Sequence, residues 1–202
     1  VLQCAPEAPN GYSDGSLKHN KGFFWGVGGS GVWWPNRTAD NLSEEEKRYT
    51  EHNEVAKARN ILNPAPEPEG GGTMLWNPFN SRLNSSTKTE LGAAILTLLA
   101  PIAAHIGIDN AAVVNTGRQI IEHLRRRAKE RWNDDDGKGK LGGGASSLHK
   151  PSPFKERWAM MKNGDLWEVF ASIVQRRGPE SVTISKVKGH ATDEMVQEGQ
   201  VR

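Results

Sequence analysis

The 202-residue sequence predicts a mixed α/β layer fold. Three observations carry this. Aromatic and glycine-rich stretches of period two come first, helical periodicity dominates later, and short apolar runs stand between the helical stretches. Strands followed by strands alternating with helices require a sheet with helices packed on it.

Taken in order, residues 1–11 read as a loose lead-in. Residues 12–16 (YSDGS) read as a short strand end followed by a turn. In residues 22–34 (GFFWGVGGSGVWW), Phe23, Trp25 and Val27 alternate, which predicts one or two strands of a meander with a tight Gly-Gly turn, ended by Pro35. Residues 41–61 predict a surface helix, with Ser43 able to cap it and Glu44, Glu45 and Glu46 in its first turn. Residues 63–72 (NPAPEPEGGG) form a linker, and 73–79 predict a strand.

Residues 87–100 carry the clearest helical pattern, in Leu91, Ala94, Ile95, Leu98 and Leu99, with Pro101 at its end. Residues 103–108 read as a short buried strand. A second long helix is expected at 110–132, with Val113, Ile120, Ile121, Leu124 and Ala128 in one stripe. Its other face holds Arg118, Arg125, Arg126, Arg127, Lys129 and Arg131. Residues 133–153 are a low-complexity loop. Residues 165–177 predict a third helix, stopped by Gly178-Pro179, and 181–187 a strand leading into a Lys188-Gly189-His190 loop.

Composition narrows the function classes. With 26 basic and 24 acidic residues the net charge is only +2, so a case for nucleic-acid binding must rest on local clusters. The single cysteine, Cys4, excludes an internal disulfide and fits an intracellular setting, cytoplasm or nucleus. The longest apolar run, 91–108, is broken by Pro101 and carries His105, so no membrane partner is expected. The chain opens without Met and stops in mid-pattern, which predicts a piece of a longer polypeptide.

Three acids stand out: Asp14 at the end of the first strand, Glu90 in the first turn of the central helix, and Asp109 closing the short buried strand. Carboxylates brought together repel unless a cation offsets their charge, and hard divalent ions such as Mg²⁺ prefer oxygen ligands. Each acid also has a structural explanation. Asp14-Gly15 is an ordinary turn dipeptide, Thr87-Lys88-Thr89-Glu90 matches a T-x-x-E capping box, and Asp109 is a fitting N-cap. His190 taken alone reads as a surface loop residue. Spacing leaves these alternatives open.

Five segments in order resemble the ribonuclease H family. They are Asp14-Gly15-Ser16 before a Gly/aromatic hairpin; Ser85-Ser86-Thr87-Lys88-Thr89-Glu90-Leu91; Ile106-Gly107-Ile108-Asp109-Asn110; Lys162-Asn163-Gly164-Asp165-Leu166-Trp167; and Val187-Lys188-Gly189-His190-Ala191. They span nearly the whole chain. The resemblance implies a domain over 12–202, with insertions at about 35–74 and 133–153. It implies a central mixed sheet with helices on both faces, the final helix missing. The family's fourth carboxylate would fall near Gln200, so a fourth acid is expected beyond Arg202.

The activity implied is endonucleolytic hydrolysis of the RNA strand of RNA–DNA hybrids by two Mg²⁺ ions, with Mn²⁺ as the alternative metal. Asp14, Glu90 and Asp109 would hold the ions: Asp14 bridging them, Glu90 and Asp109 on the ion near the leaving group. His190 would assist proton traffic. Gly15, Ser16 and Asn110 would read the 2′-hydroxyl. Ser85, Ser86 and Thr87 would contact phosphate at a helix start, and Arg125 and Arg126 would add salt-sensitive grip. Fusion to a reverse transcriptase in a retroelement polyprotein is the implied larger context. Two rivals stand beside this reading: a catalytically impaired domain of the same fold that binds nucleic acid or serves as a scaffold, and a strand-transfer enzyme. The second is disfavoured because such enzymes carry their third acid on a late helix, whereas Glu90 lies on the first.

Overall fold

The computed structural model describes residues 3–19, 26–37, 73–81, 85–135, 153, 154 and 156–189. The helix expected at 41–61, the linker at 63–72, most of both expected insertions, and the chain from His190 onward lie outside the described residues.

Five strands form one mixed sheet. In chain order they are β1 (Gly11–His19), β2 (Gly26–Trp34), β3 (Thr73–Ser81), β4 (Ala104–Ile108) and β5 (Val182–Lys186), and across the sheet they run β3-β2-β1-β4-β5. β1, β2 and β3 are an antiparallel meander, while β4 and β5 run parallel to β1. Two sequence expectations change here. Asp14-Gly15 is not a turn but lies within β1, opposite Gly31 and Ser30. Gly28-Gly29 is likewise inside β2, paired with Leu17 and Ser16, because β1 runs on to His19 and needs a long partner. Pro78 sits in β3, which is tolerable because β3 is an edge strand of the described sheet.

Among the described residues three α-helices accompany the sheet: α1 (Ser86–Thr97), α2 (Ala111–Asp135) and α3 (Gly164–Arg177). Each lies within a few residues of its expected span. The apolar stripes of all three meet the same sheet face. Leu91 and Ile95 of α1, Val113 and Ile120 of α2, and Phe170 and Val174 of α3 share one core with Ile106, Ile108, Val182 and Ile184. Each fully buried side chain of this kind contributes about 1.5–3 kcal/mol. Among the described residues no helix covers the opposite face, although the resemblance implied helices on both.

At β4 that opposite face is covered by the lead-in, which is docked rather than loose. Asn10 donates Nδ2–H to Ala103 O at 2.8 Å and accepts His105 N–H at 2.8 Å. The buried His105 ring meets Pro6 O at 2.9 Å and Ser185 Oγ at 2.6 Å. α2 lies against β5 through its basic face. Arg118 Nε donates to Ile184 O at 2.9 Å, and Arg125 donates to Pro179 O at 3.2 Å and Val182 O at 2.8 Å. The C-terminal end of α1 is clamped by Arg177 of α3, which donates to Leu98 O at 2.7 Å, to Ala100 O at 2.6 Å and to Ile102 O. The guanidinium fork thereby satisfies carbonyls left over where Pro101 prevents the helix from continuing.

Candidate metal centre

The pairing of β1 with β4 ends at Ser13 opposite Ile108. The next residues, Asp14 and Asp109, therefore leave the two strands side by side. α1 crosses β1 at Gly15, where a Cβ would lie 2.3 Å from Glu90 N and 2.5 Å from the Thr89 carbonyl carbon. Only glycine permits that approach. Ser30 of β2 holds the helix down by donating Oγ–H to Thr89 O at 2.7 Å. Glu90 is thus delivered to the two aspartates, and one carboxylate oxygen from each of Asp14, Glu90 and Asp109 lies within 4.8 Å of the others. Asp14 is exposed, Asp109 half-buried and Glu90 buried.

The structural alternatives for these acids do not hold. α1 is capped by Ser85, whose Oγ accepts Lys88 N–H at 3.2 Å, so Glu90 is the fifth helical residue and no capping box forms on Thr87. α2 is capped by Asn110, whose Oδ1 accepts Ala112 N–H and Val113 N–H, each at 3.1 Å. Asp109 keeps its carboxylate free of capping.

The electrostatics follow from the crowding. Burial pushes the Glu90 carboxyl up from 4.5 to about 8, the neighbouring charges of Asp109 and Asp14 push the same way, and a hydrogen bond from Gly15 N–H opposes them. Its Oε2 is buried without a hydrogen-bond partner. An orphaned, buried carboxylate oxygen facing two further carboxylates is costly by itself. A bound divalent cation would relieve that cost, and an all-carboxylate donor set fits a hard ion rather than a thiolate-seeking one.

The end of β5 closes over Asp109. Val187 N–H donates to Ile108 O at 3.0 Å, Lys186 Nζ donates to Asp109 O at 2.9 Å, and a Cβ on Gly189 would fall 2.0 Å from Asp109 Oδ2. Sequence reasoning missed Lys186 and Gly189 as neighbours of the acids. It also missed Arg177, since nothing in the pattern of a helix end announces a carbonyl clamp. His190, expected in the site, lies outside the described residues.

The remaining expected residues divide. Gly15 touches Glu90, and its N–H is directed at that carboxyl. Ser16 is exposed on β1, two residues beyond Asp14. Ser85, Ser86 and Thr87 begin α1 one turn before Glu90, with Ser86 exposed. Asn110 adjoins Asp109, with its Oδ1 used as a cap. Arg125 is not at the acids. It sits at the start of β5, opposite Ala104 rather than Ile108, which is about 13 Å along the strand from the cluster. Its guanidinium is occupied by backbone carbonyls, Thr183 Oγ1 and Glu180. Arg126 is exposed on the same helix, with its Nη2 3.3 Å from His123 Nδ1.

No protein-family model and no curated protein sequence matches this chain. Among solved structures it is similar to the protease-reverse transcriptase of prototype foamy virus, at a TM-score of 0.43 and 13% identity over 96% of this chain. It spans 20% of that protein's length. It is also similar to the ribonuclease H domain of the same virus, at a TM-score of 0.41 and 14% identity over 94% of this chain and 86% of that one. No described helix is long and apolar enough to cross a membrane. Among the described residues the chain has a mixed α/β fold, in which a five-stranded sheet brings two strand-end aspartates to a helix-borne glutamate.

Proposed function

We propose that this chain is a metal-dependent nuclease that hydrolyses the RNA strand of RNA–DNA hybrids, using two Mg²⁺ ions, or Mn²⁺ in their place. The observation that carries the proposal is the convergence of Asp14, Glu90 and Asp109, with an unpartnered buried oxygen on Glu90. Bound divalent ions supply Lewis acidity at phosphate oxygens and make water a competent nucleophile near neutral pH. The protein's own part is positional. Asp14, Glu90 and Asp109 hold the ions, Gly15 lets α1 approach, and Gly189 backs the Asp109 carboxylate. His190, next in sequence to Gly189, is the residue we assign to proton transfer. Ser16, Ser85, Ser86, Thr87 and Asn110, each within a few residues of one of the acids in sequence, offer small polar groups suited to phosphate and 2′-hydroxyl contacts. Arg126 adds sequence-independent grip. A retroelement polyprotein that also carries a reverse transcriptase is the setting we infer.

The rival reading is a hybrid-binding or scaffolding domain without turnover. One feature favours it: Gln200 stands where the resemblance implies a fourth carboxylate. The deciding experiment is cleavage of a labelled RNA–DNA hybrid in Mg²⁺ by this chain and by a form extended past Arg202, each beside its Asp14→Asn variant. Metal-dependent cleavage lost in the variant supports the nuclease. Hybrid binding without cleavage by either form leaves the scaffold.

A further inference from the structure

The face of β1–β3 turned away from the helices carries a groove of about 400 Å³. Its walls are Tyr12, Trp33, Met74 and Trp76, and its polar rim is Asp14 and Ser16. Strand alternation puts these residues on one face, with Tyr12 opposite Trp33, and Trp33 in turn opposite Met74. The Tyr12 and Trp33 rings lie 5.7 Å apart, tilted by 32°. Trp33 and Met74 remain 38% and 39% exposed, two of only four large hydrophobic side chains exposed among the described residues.

The groove's size and chemistry narrow what fills it. Its volume falls within the range of small-ligand pockets, about 300–1,000 Å³. Two exposed apolar side chains fall far short of the about 800 Å² per partner that a stable protein interface buries. Two indoles and a thioether beside hydroxyl and carboxylate groups suit a flat ring with polar edges. Asp14 settles which ring, because it belongs both to the acidic cluster and to the groove wall. A strand held at the carboxylates has its neighbouring nucleotides within reach of the indoles.

We propose that this groove takes the base of an unpaired nucleotide, stacked on Trp33 and Trp76, where a single strand of RNA or DNA leaves the duplex at Asp14. The inference rests on the nucleic-acid reading above but does not depend on turnover. Stacking on aromatic side chains is worth about 1–3 kcal/mol per base and is tolerant of sequence. An unpaired overhang therefore binds more tightly than the same charge without bases.

The test is fluorescence anisotropy of labelled single strands on the intact chain, with a chelator present so that nothing is cleaved. Three probes of equal length are compared: an oligoribonucleotide, an oligodeoxyribonucleotide and an abasic oligonucleotide. Both base-bearing probes are expected to bind about tenfold more tightly than the abasic one. Preference for one of them assigns the strand. Trp33→Ala and Trp76→Ala, which remove the two stacking indoles, are expected to erase most of that ratio in variants that still unfold cooperatively. Equal affinity for the abasic probe, or a ratio unchanged in both variants, overturns the proposal. Base-dependent binding by a chain that fails to cleave hybrids removes the nuclease reading alone. Cleavage without base-dependent binding removes the groove alone.

Discussion

Replacing Glu90 by glutamine separates the cost of the acidic cluster from its use. In the unfolded chain this carboxyl ionises near 4.5, whereas in the fold it keeps its proton to about 8. Between those values the folded protein binds more protons than the unfolded one, so stability falls as pH rises. The stabilising difference is complete below the unfolded value and lost as pH climbs through the folded one. Each pH unit in that window is worth about 1.4 kcal/mol. From about pH 5.5 to about pH 7.5 the metal-free protein is therefore expected to lose about 2–3 kcal/mol through this group. The Glu90→Gln variant has no proton to lose and escapes that part of the decline. The assay is urea unfolding of both proteins at the two pH values with chelator present, comparing the change in each rather than absolute stabilities. Parallel changes in wild type and variant would refute the argument that burial beside Asp14 and Asp109 keeps Glu90 protonated. Adding Mg²⁺ near pH 7.5 should then stabilise the wild type more than the variant, because an ion held only by the folded state adds its binding free energy to stability.

Gly189→Ala pushes a methyl group into Asp109 and is expected to weaken Mg²⁺ binding about 10–100-fold by calorimetry, with the far-UV spectrum unchanged. Arg177→Lys exchanges a fork reaching three carbonyls for one ammonium, and urea unfolding should show a loss of about 2–4 kcal/mol. Arg125→Ala should cost about 1–3 kcal/mol of stability yet leave the salt dependence of hybrid binding as it was, whereas Arg126→Ala should lower that slope by about one with little loss of stability.

Elements with a strong period were legible from the chain alone. The three helices and the two parallel strands carry continuous apolar stripes, and each stripe reappears in the shared core. β1 was cut short because Asp14-Gly15 has the chemistry of a turn. Only the register with β2 shows that this glycine exists to admit α1 rather than to bend the strand. The carboxylates were legible as a set through order and resemblance, but their local rivals were decided by single side chains. Ser85 caps one residue before the helix starts, and Asn110 takes the role that Asp109 was equally suited to fill. Arg125 shows the limit from the other side. A basic helix face reads the same whether its guanidiniums meet phosphate or the protein's own carbonyls, and here position along β5 decides.

The arginines on α2 also bear on what the molecule avoids. β5 is the last strand of the described sheet, and its outward carbonyls at Val182 and Ile184 are already taken by Arg125 and Arg118. The opposite rim, β3, is interrupted by Pro78, which offers no N–H. A sheet with one rim stoppered by guanidinium and the other by proline is a poor template for a foreign strand. Charge that composition would credit to ligand binding is thus spent in part on occupying the edge of the protein's own sheet. Stripping both arginines should raise self-association before it abolishes the fold, which light scattering on the folded double variant would register.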